Sequence, residues 1–401
     1  MSEKRRDNRN RVLRTGESQR KDGLYAFKYK DALGGTRFVY SWRLVRTDRL
    51  PKGKRECVPL REKEDEIRRD LADGIDHVGK RMTVCQLYEK QNRMRPDVKD
   101  GTKMGRANLM RLLSEDRIGR SEIGGVRLSD AKEWVQRMQA KGYAYSTISN
   151  YKRSLKAAFF TAIQDDCVRR NPFDFKLSSV IRDDREPRVA LSEEQEKALL
   201  GFLMDDEVCS EWLDAVVVLL GTGMRISELC GLTGGDVDFD GRRIRVDHQL
   251  VRLKGGVYRL DTTKTKSGVR VIYMTDEVSQ ALRRSAERSG CRRCMEVDGR
   301  RDFLFVGAKR RPMVAGDYTV AFRTIRNRYA VTGGVEMPKS VTAHTMRHTF
   351  CTRMAMGGMN PKALQYIMGH ADIKMTLDYY AHADEDDAVS EMRRFIEKTT
   401  V

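Results

Sequence analysis

Apolar side chains recur with period two in two short stretches near the N-terminus. Tyr25, Phe27 and Tyr29 alternate with Ala26 and Lys28, and Phe38, Tyr40 and Trp42 with Val39 and Ser41. The alternation predicts two strands, and Gly34-Gly35 between them predicts a hairpin turn. "RECVPL" is expected to supply a third strand, and "REKEDEIRRDLADGI" a helix that stops at Gly74. The first twenty residues are polar and are expected to be mobile.

From Thr83 to about Pro172 the period becomes helical. Val84, Leu87 and Tyr88 begin the pattern. "LSDAKEWVQRMQAKG" predicts a helix capped by Ser129 and ended at Gly142. Ile148, Tyr151, Leu155, Phe159 and Ile163 then share one helical face, with Lys152, Arg153 and Lys156 on another. Asn171-Pro172 stops that helix. "DFKLSSVIRDDREPRVA" is charged and aperiodic, and reads as a linker.

Structure restarts at a Ser192/Gln195 capping box. Beyond it the pattern is mixed, with strands expected near Ile244–Val246, Leu250–Leu253, Tyr258–Leu260 and Val269–Met274. The chain therefore divides into a sheet-and-helix domain (1–76), a helical module (77–173), a linker (174–190) and an α/β domain (191–401). At the end, Ala388, Val389, Met392, Phe395 and Ile396 fall on one helical face. That stripe packs on its own domain or on a neighbouring subunit.

Charge sharpens the picture. The chain of 401 residues carries 77 basic and 58 acidic side chains, a net +19. Such an excess favours a polyanion, nucleic acid before an anionic membrane, over a merely basic enzyme. Residues 1–73 hold 21 basic and 13 acidic residues, a net +8; a basic β-ribbon suits a DNA major groove. The longest apolar run, Ala215–Leu220, falls far short of the roughly 18 residues of a spanning helix. The charged N-terminal stretch lacks the apolar segment of a secretory signal. Eight scattered cysteines fit a reducing cytosol. Cys291 and Cys294 form a single C-x-x-C pair, which reads as a loop feature, since zinc takes about four ligands. No metal and no cofactor is expected.

Two stretches suggest chemistry. In "WLDAVVVLLGTGMRISELCGL", Arg225 lies at a junction between two apolar segments, where an arginine needs a partner. It suits an oxyanion held by a planar fork, or a simple pair with Glu228. In "HTMRHTFCTRMAMGGMNPKALQYIMGH", His344 and Arg347 share a helix face at i and i+3. Asn360-Pro361 opens the next helix, and Gly369 closes it just before His370. The second stretch holds no carboxylate, which speaks against a metal site there.

"GTGMRISELCGL", "HTMRHTF", "MGH" and a tyrosine nine residues beyond that last histidine resemble the signature boxes of the tyrosine recombinase (phage integrase) family. The match runs from about Leu191 to the end, and the ordered set Arg, Lys, His-x-x-Arg, His, Tyr is highly specific. The resemblance implies catalytic roles for Arg225, His344, Arg347 and His370, with Tyr379 as nucleophile and Tyr380 as its rival. "TTKTKSGVRVIYM" matches the hairpin that carries the family's lysine; Lys266 is preferred over Lys264. It implies a multidomain protein: a small N-terminal three-stranded sheet plus helix, an all-α core-binding module and a mixed α/β catalytic domain.

The implied reaction joins DNA covalently to tyrosine as a 3′-phosphotyrosine and needs no ATP. Double-stranded DNA with core-type and arm-type sites, a homo-tetramer on paired sites and an accessory DNA-bending or excision factor are the implied partners. The location is the bacterial cytoplasm, at the nucleoid when bound. The N-terminal sheet resembles the arm-binding domain of conjugative-transposon integrases, which implies insertion and excision of a mobile element. A type IB topoisomerase-like relaxing enzyme and a non-catalytic DNA-binding regulator are the competing readings.

Overall fold

The aromatic alternation does form a hairpin. In a computed structural model the protein is described over residues 5–31, 34–185, 189–253, 255–263, 266–290, 294–380 and 392, with Lys266 by its backbone alone. Strands β1 (Glu17–Gln19), β2 (Tyr25–Lys30) and β3 (Thr36–Ser41) form an antiparallel sheet in that order. Phe27 stands opposite Val39, and Tyr25 opposite Ser41. Tyr25, Phe27 and Tyr29 pack with Leu44 and with Leu60 and Ile67 of α1 (Leu60–Ala72).

The third strand differs from the expectation. Residues 55–59 enter α1 without regular structure, and β1 comes from the segment expected to be mobile. Its anchor is polar. The buried Glu17 carboxylate accepts from Arg61 Nε at 3.0 Å and from the Arg14 backbone N–H at 2.7 Å. An ion pair fixes this segment, and hydropathy carries no trace of it.

Helices α2 (Val84–Arg93), α3 (Asp100–Glu115), α4 (Arg117–Arg120), α5 (Leu128–Ala140) and α6 (Tyr145–Gln164) enclose a second core around Trp134, Phe159 and Phe173. A Thr83/Gln86 capping box opens α2. Helix α5 starts earlier than expected. The Asp130 carboxylate accepts from the Arg127 N–H at 2.8 Å, which leaves Ser129 inside the helix. Residues 174–190 are not all linker, because Leu177 and Ile181 are buried in this core. The chain divides into two compact units at Glu186/Pro187.

The second unit contains α7 (Glu193–Asp205), α8 (Leu213–Thr222), α9 (Ile226–Gly231), β4 (Val237–Asp238), β5 (Arg243–Val246), β6 (His248–Arg252), β7 (Tyr258–Thr262) and β8 (Arg270–Tyr273). Then follow α10 (Asp276–Gly290), α11 (Ala315–Tyr329), α12 (Ala343–Met356), α13 (Pro361–Met368) and α14 (Lys374–Leu377). Ser192 and Gln195 cap α7 reciprocally. Helix α8 is apolar almost all round and packs against α10 and α12, as a helix without a polar face must. Strands β4, β5 and β8 form one sheet, and β6 pairs with β7. Among the described residues β7 and β8 are not paired with each other, and Lys266–Gly268 is a single 3₁₀ turn.

The C-terminal stripe lies outside the described residues except for Met392, as do Lys264 and Cys291. Among the described residues no helix is long and apolar enough to cross a membrane.

Candidate active site

Two left-handed glycines shape the site. Helix α8 ends at Gly223 with φ +62°, and α13 ends at Gly369 with φ +61°. A side chain at either position would be strained, and at Gly223 it would also collide. A Cβ on Gly223 would lie 2.4 Å from the Phe350 ring. A Cβ on Gly369 would lie 3.2 Å from Arg270 Nη1 and 3.4 Å from Arg225 Nη1.

Arg225 is the N-cap of α9 and keeps part of its side chain in solvent. Its Nη1 donates to Glu228 Oε1 at 2.8 Å, and its Nη2 to the Gly369 carbonyl at 2.8 Å. The Glu228 pairing raised by the sequence is real, but Glu228 is buried, so it is not a surface pair. Burial pushes the Glu228 carboxyl up; hydrogen bonding and charge from Arg270, then Arg225, outweigh it and hold it below its ordinary value.

Arg347 projects from α12 into the same space. Its Nη1 donates to the Gly223 carbonyl at 2.6 Å, and its Nη2 to the Met368 carbonyl. Burial, with repulsion from Arg225, lowers its pKa to about 10, so it stays cationic at neutral pH.

His370 follows Gly369 and is buried. Its Nδ1 is 3.0 Å from Thr376 Oγ1. Burial and the charges of Arg347, Arg225 and Arg270 push its pKa down to about 4, which keeps the imidazole neutral at physiological pH. His344 is exposed in the first turn of α12. The Lys266 turn approaches Gly369 through the Ser267 carbonyl.

The two tyrosines differ. The Tyr379 ring lies 4.8 Å from that of His348, and its phenol is close enough to Arg347 to act on that group's charge. The Tyr380 hydroxyl donates to the Met359 carbonyl. Both rings pack on a small apolar cluster of α12 and α13 that includes Phe350 and Leu364.

Sequence reasoning missed Arg270 and Thr376. Arg270 was detectable, because strand alternation places it on the same buried face as Ile272. Thr376 carried no signal beyond proximity to His370.

Two cationic forks, a neutral imidazole and a nearby phenol, on a helical frame with a small sheet, are the kind of groups that phosphoryl transfer by a tyrosine recombinase uses. Comparison with known proteins agrees. Residues 190–386 match the phage integrase family, and residues 1–71 match the DNA-binding domain of Tn916 integrase. The transposase from transposon Tn916 of Enterococcus faecalis is 54% identical over 395 residues, covering 98% of this chain and 97% of that protein. Tyrosine recombinase XerA of Pyrococcus furiosus is 27% identical over 252 residues, 62% of this chain and 74% of the relative.

Among solved structures, the Tn1549 transposon integrase (residues 82–397, R225K) in complex with a circular intermediate DNA superposes with a TM-score of 0.75. It is 54% identical, over 78% of this chain and 99% of that one. A lambda integrase dimer bound to a core site shares the fold, with a TM-score of 0.52 at 15% identity over 92% and 95% of the two chains. The chain belongs to the phage integrase family and is a tyrosine recombinase of the Tn916 transposon-integrase type.

Proposed function

We propose that the protein excises and inserts a conjugative transposon by cutting and rejoining DNA through Tyr379. The observation that carries this reading is the convergence of Arg225 and Arg347 on the carbonyls of Gly369, Met368 and Gly223, with the Tyr379 phenol within electrostatic reach of Arg347. The Tyr379 oxygen attacks the scissile phosphorus, a 3′-phosphotyrosine forms and the 5′-oxygen leaves. Arg225 and Arg347 stabilise the charge that grows on the nonbridging oxygens. His370, neutral before DNA arrives, donates a further hydrogen bond. His344 accepts the phenolic proton, and Lys266 supplies a proton to the leaving oxygen. Attack by the 5′-hydroxyl of another DNA end reverses these steps and completes the exchange.

Residues 1–76 act as the arm-type DNA reader. Lys28 and Phe38 are cross-strand partners, and Lys28, Lys30, Phe38 and Tyr40 are exposed on one face of the sheet. The Phe38 and Tyr40 rings stack 6.4 Å apart on that face. Cations interleaved with aromatics suit DNA in a groove. Residues 77–173 and the catalytic domain 191–401 hold the core-type site. Four copies assemble on two paired duplexes in the bacterial cytoplasm, helped by a DNA-bending or excision factor. The solved relatives fit this reading: Tn1549 integrase is seen with circular intermediate DNA and lambda integrase as a tetramer on a Holliday junction.

The experiment is recombination between two marked core sites beside relaxation of a supercoiled plasmid lacking them. Exchange restricted to paired sites supports a recombinase. Relaxation without exchange supports the topoisomerase-like reading.

A further inference from the structure

Among the described residues Arg270 is the largest charged side chain that is fully buried, with no side-chain exposure. It opens β8 just after the Lys266 turn. Its guanidinium meets four acceptors. Nη2 donates to Glu228 Oε2 at 2.8 Å, and Nη1 to Glu228 Oε1 at 3.2 Å and to the Gly268 carbonyl at 2.9 Å. Nε donates to the Ile367 carbonyl near the end of α13. One planar group thus joins the lysine turn, the helix carrying Arg225 and the helix end that precedes Gly369 and His370.

Charge gives this contact a consequence beyond packing. Glu228 lies between two arginines. If Arg270 were uncharged, Glu228 would cancel Arg225, and the pair would present no net charge to a phosphate. With Arg270 in place, the three groups sum to one positive charge, and Arg225 alone reaches solvent.

We propose that Arg270 is a positioning residue for strand cleavage: it neutralises Glu228 so that Arg225 keeps its field for the scissile phosphate, and it ties the Lys266 turn to the Gly369–His370 corner. The inference rests on the reading that Arg225 holds that phosphate. Arg270 does not touch DNA. It acts through Glu228, Gly268 and Ile367.

The test measures single-turnover cleavage of a nicked core-site substrate, core-site affinity and thermal melting, from pH 6 to 8.5, in the full chain. Wild-type adduct formation in the same assay, and its loss in Arg225→Lys, check the underlying reading separately. Arg270→Met is expected to bind the core site like wild type and to cleave about 100-fold more slowly, the scale seen when one preorganised charge-stabilising contact is lost. The shape of its pH profile should also differ from that of wild type. Glu228 would lose its main charge partner and its pKa would rise, so lower pH, which protonates that carboxyl and frees Arg225, should favour cleavage by the variant.

Adding Glu228→Gln to Arg270→Met restores the single positive charge and should recover about tenfold of the lost rate. Should Arg270→Met fail to fold, Arg270→Lys decides. It keeps the charge but loses the fork, so it should cleave about tenfold more slowly with unchanged affinity. Wild-type cleavage by Arg270→Met, or by Arg270→Lys where that variant decides, would overturn the proposal. So would a folded Arg270→Met whose loss is pH-independent and not relieved by Glu228→Gln.

Discussion

Arg225 is gripped from two sides: Glu228 Oε1 accepts from Nη1 and the Gly369 carbonyl from Nη2, both at 2.8 Å. Those two contacts use separate nitrogens of one planar group. Lysine has a single charged nitrogen and cannot satisfy both while facing a phosphate. Arg225→Lys should therefore lower cleavage by about 10² to 10³, with little change in DNA affinity, in a single-turnover assay beside a gel-shift titration. Near-normal cleavage would remove Arg225 from the site.

Gly369→Ala places a methyl group 3.2 Å from Arg270 Nη1 and 3.4 Å from Arg225 Nη1, on backbone with φ +61°. The strain should cost about 1 to 2 kcal/mol of stability. Activity should fall further than melting does, because the Arg270 guanidinium and the Ser267 carbonyl, each 3.2 Å from the added Cβ, must give way beside Arg225. A variant whose cleavage falls only in proportion to its folded fraction would separate the glycine from the arginines.

His370 gives stability a pH signature. Its folded pKa of about 4 lies below the unfolded value near 6.5, so between those limits the unfolded chain binds the proton more readily. The contribution is complete above about pH 6.5 and is lost as pH falls towards 4, by at most about 3 kcal/mol. Denaturant titrations should show this slope in wild type and a flatter one in His370→Asn. Equal slopes would place the titration elsewhere.

Deleting residues 1–76 should abolish arm-site binding and leave core-site cleavage measurable. The sheet domain buries its own small core of Tyr25, Phe27, Leu44, Leu60 and Ile67, and the helical module has a separate one around Trp134. Parallel titrations of arm and core duplexes check this. Equal loss at both would make the sheet part of the core clamp.

Local signals account for what the sequence made legible. Alternating aromatics announced β2 and β3, the Ser192/Gln195 box announced α7, and the glycine that ends α13 announced the position of His370. Each is a short-range effect of backbone geometry. Strand β1 stayed hidden because the Glu17–Arg61 pair anchors it across 44 residues of chain. The start of the linker reads too early because Leu177 and Ile181 are too sparse to show a period. Arg225–Glu228 was visible as an i,i+3 pair, but its burial was not, since that depends on Arg270 arriving from a distant strand. The choice between Tyr379 and Tyr380 rested on spacing alone; the Met359 carbonyl that occupies Tyr380 is a tertiary contact.

That choice is where the account is most exposed. The decisive measurement is mass spectrometry of the peptide left joined to DNA when wild-type protein cleaves a nicked core site, run beside Tyr379→Phe and Tyr380→Phe. The account predicts a nucleotide on Tyr379, no SDS-resistant adduct from Tyr379→Phe, and an adduct retained by Tyr380→Phe, which loses only the hydroxyl contact to Met359. A nucleotide on Tyr380, or an adduct that survives Tyr379→Phe, would contradict it.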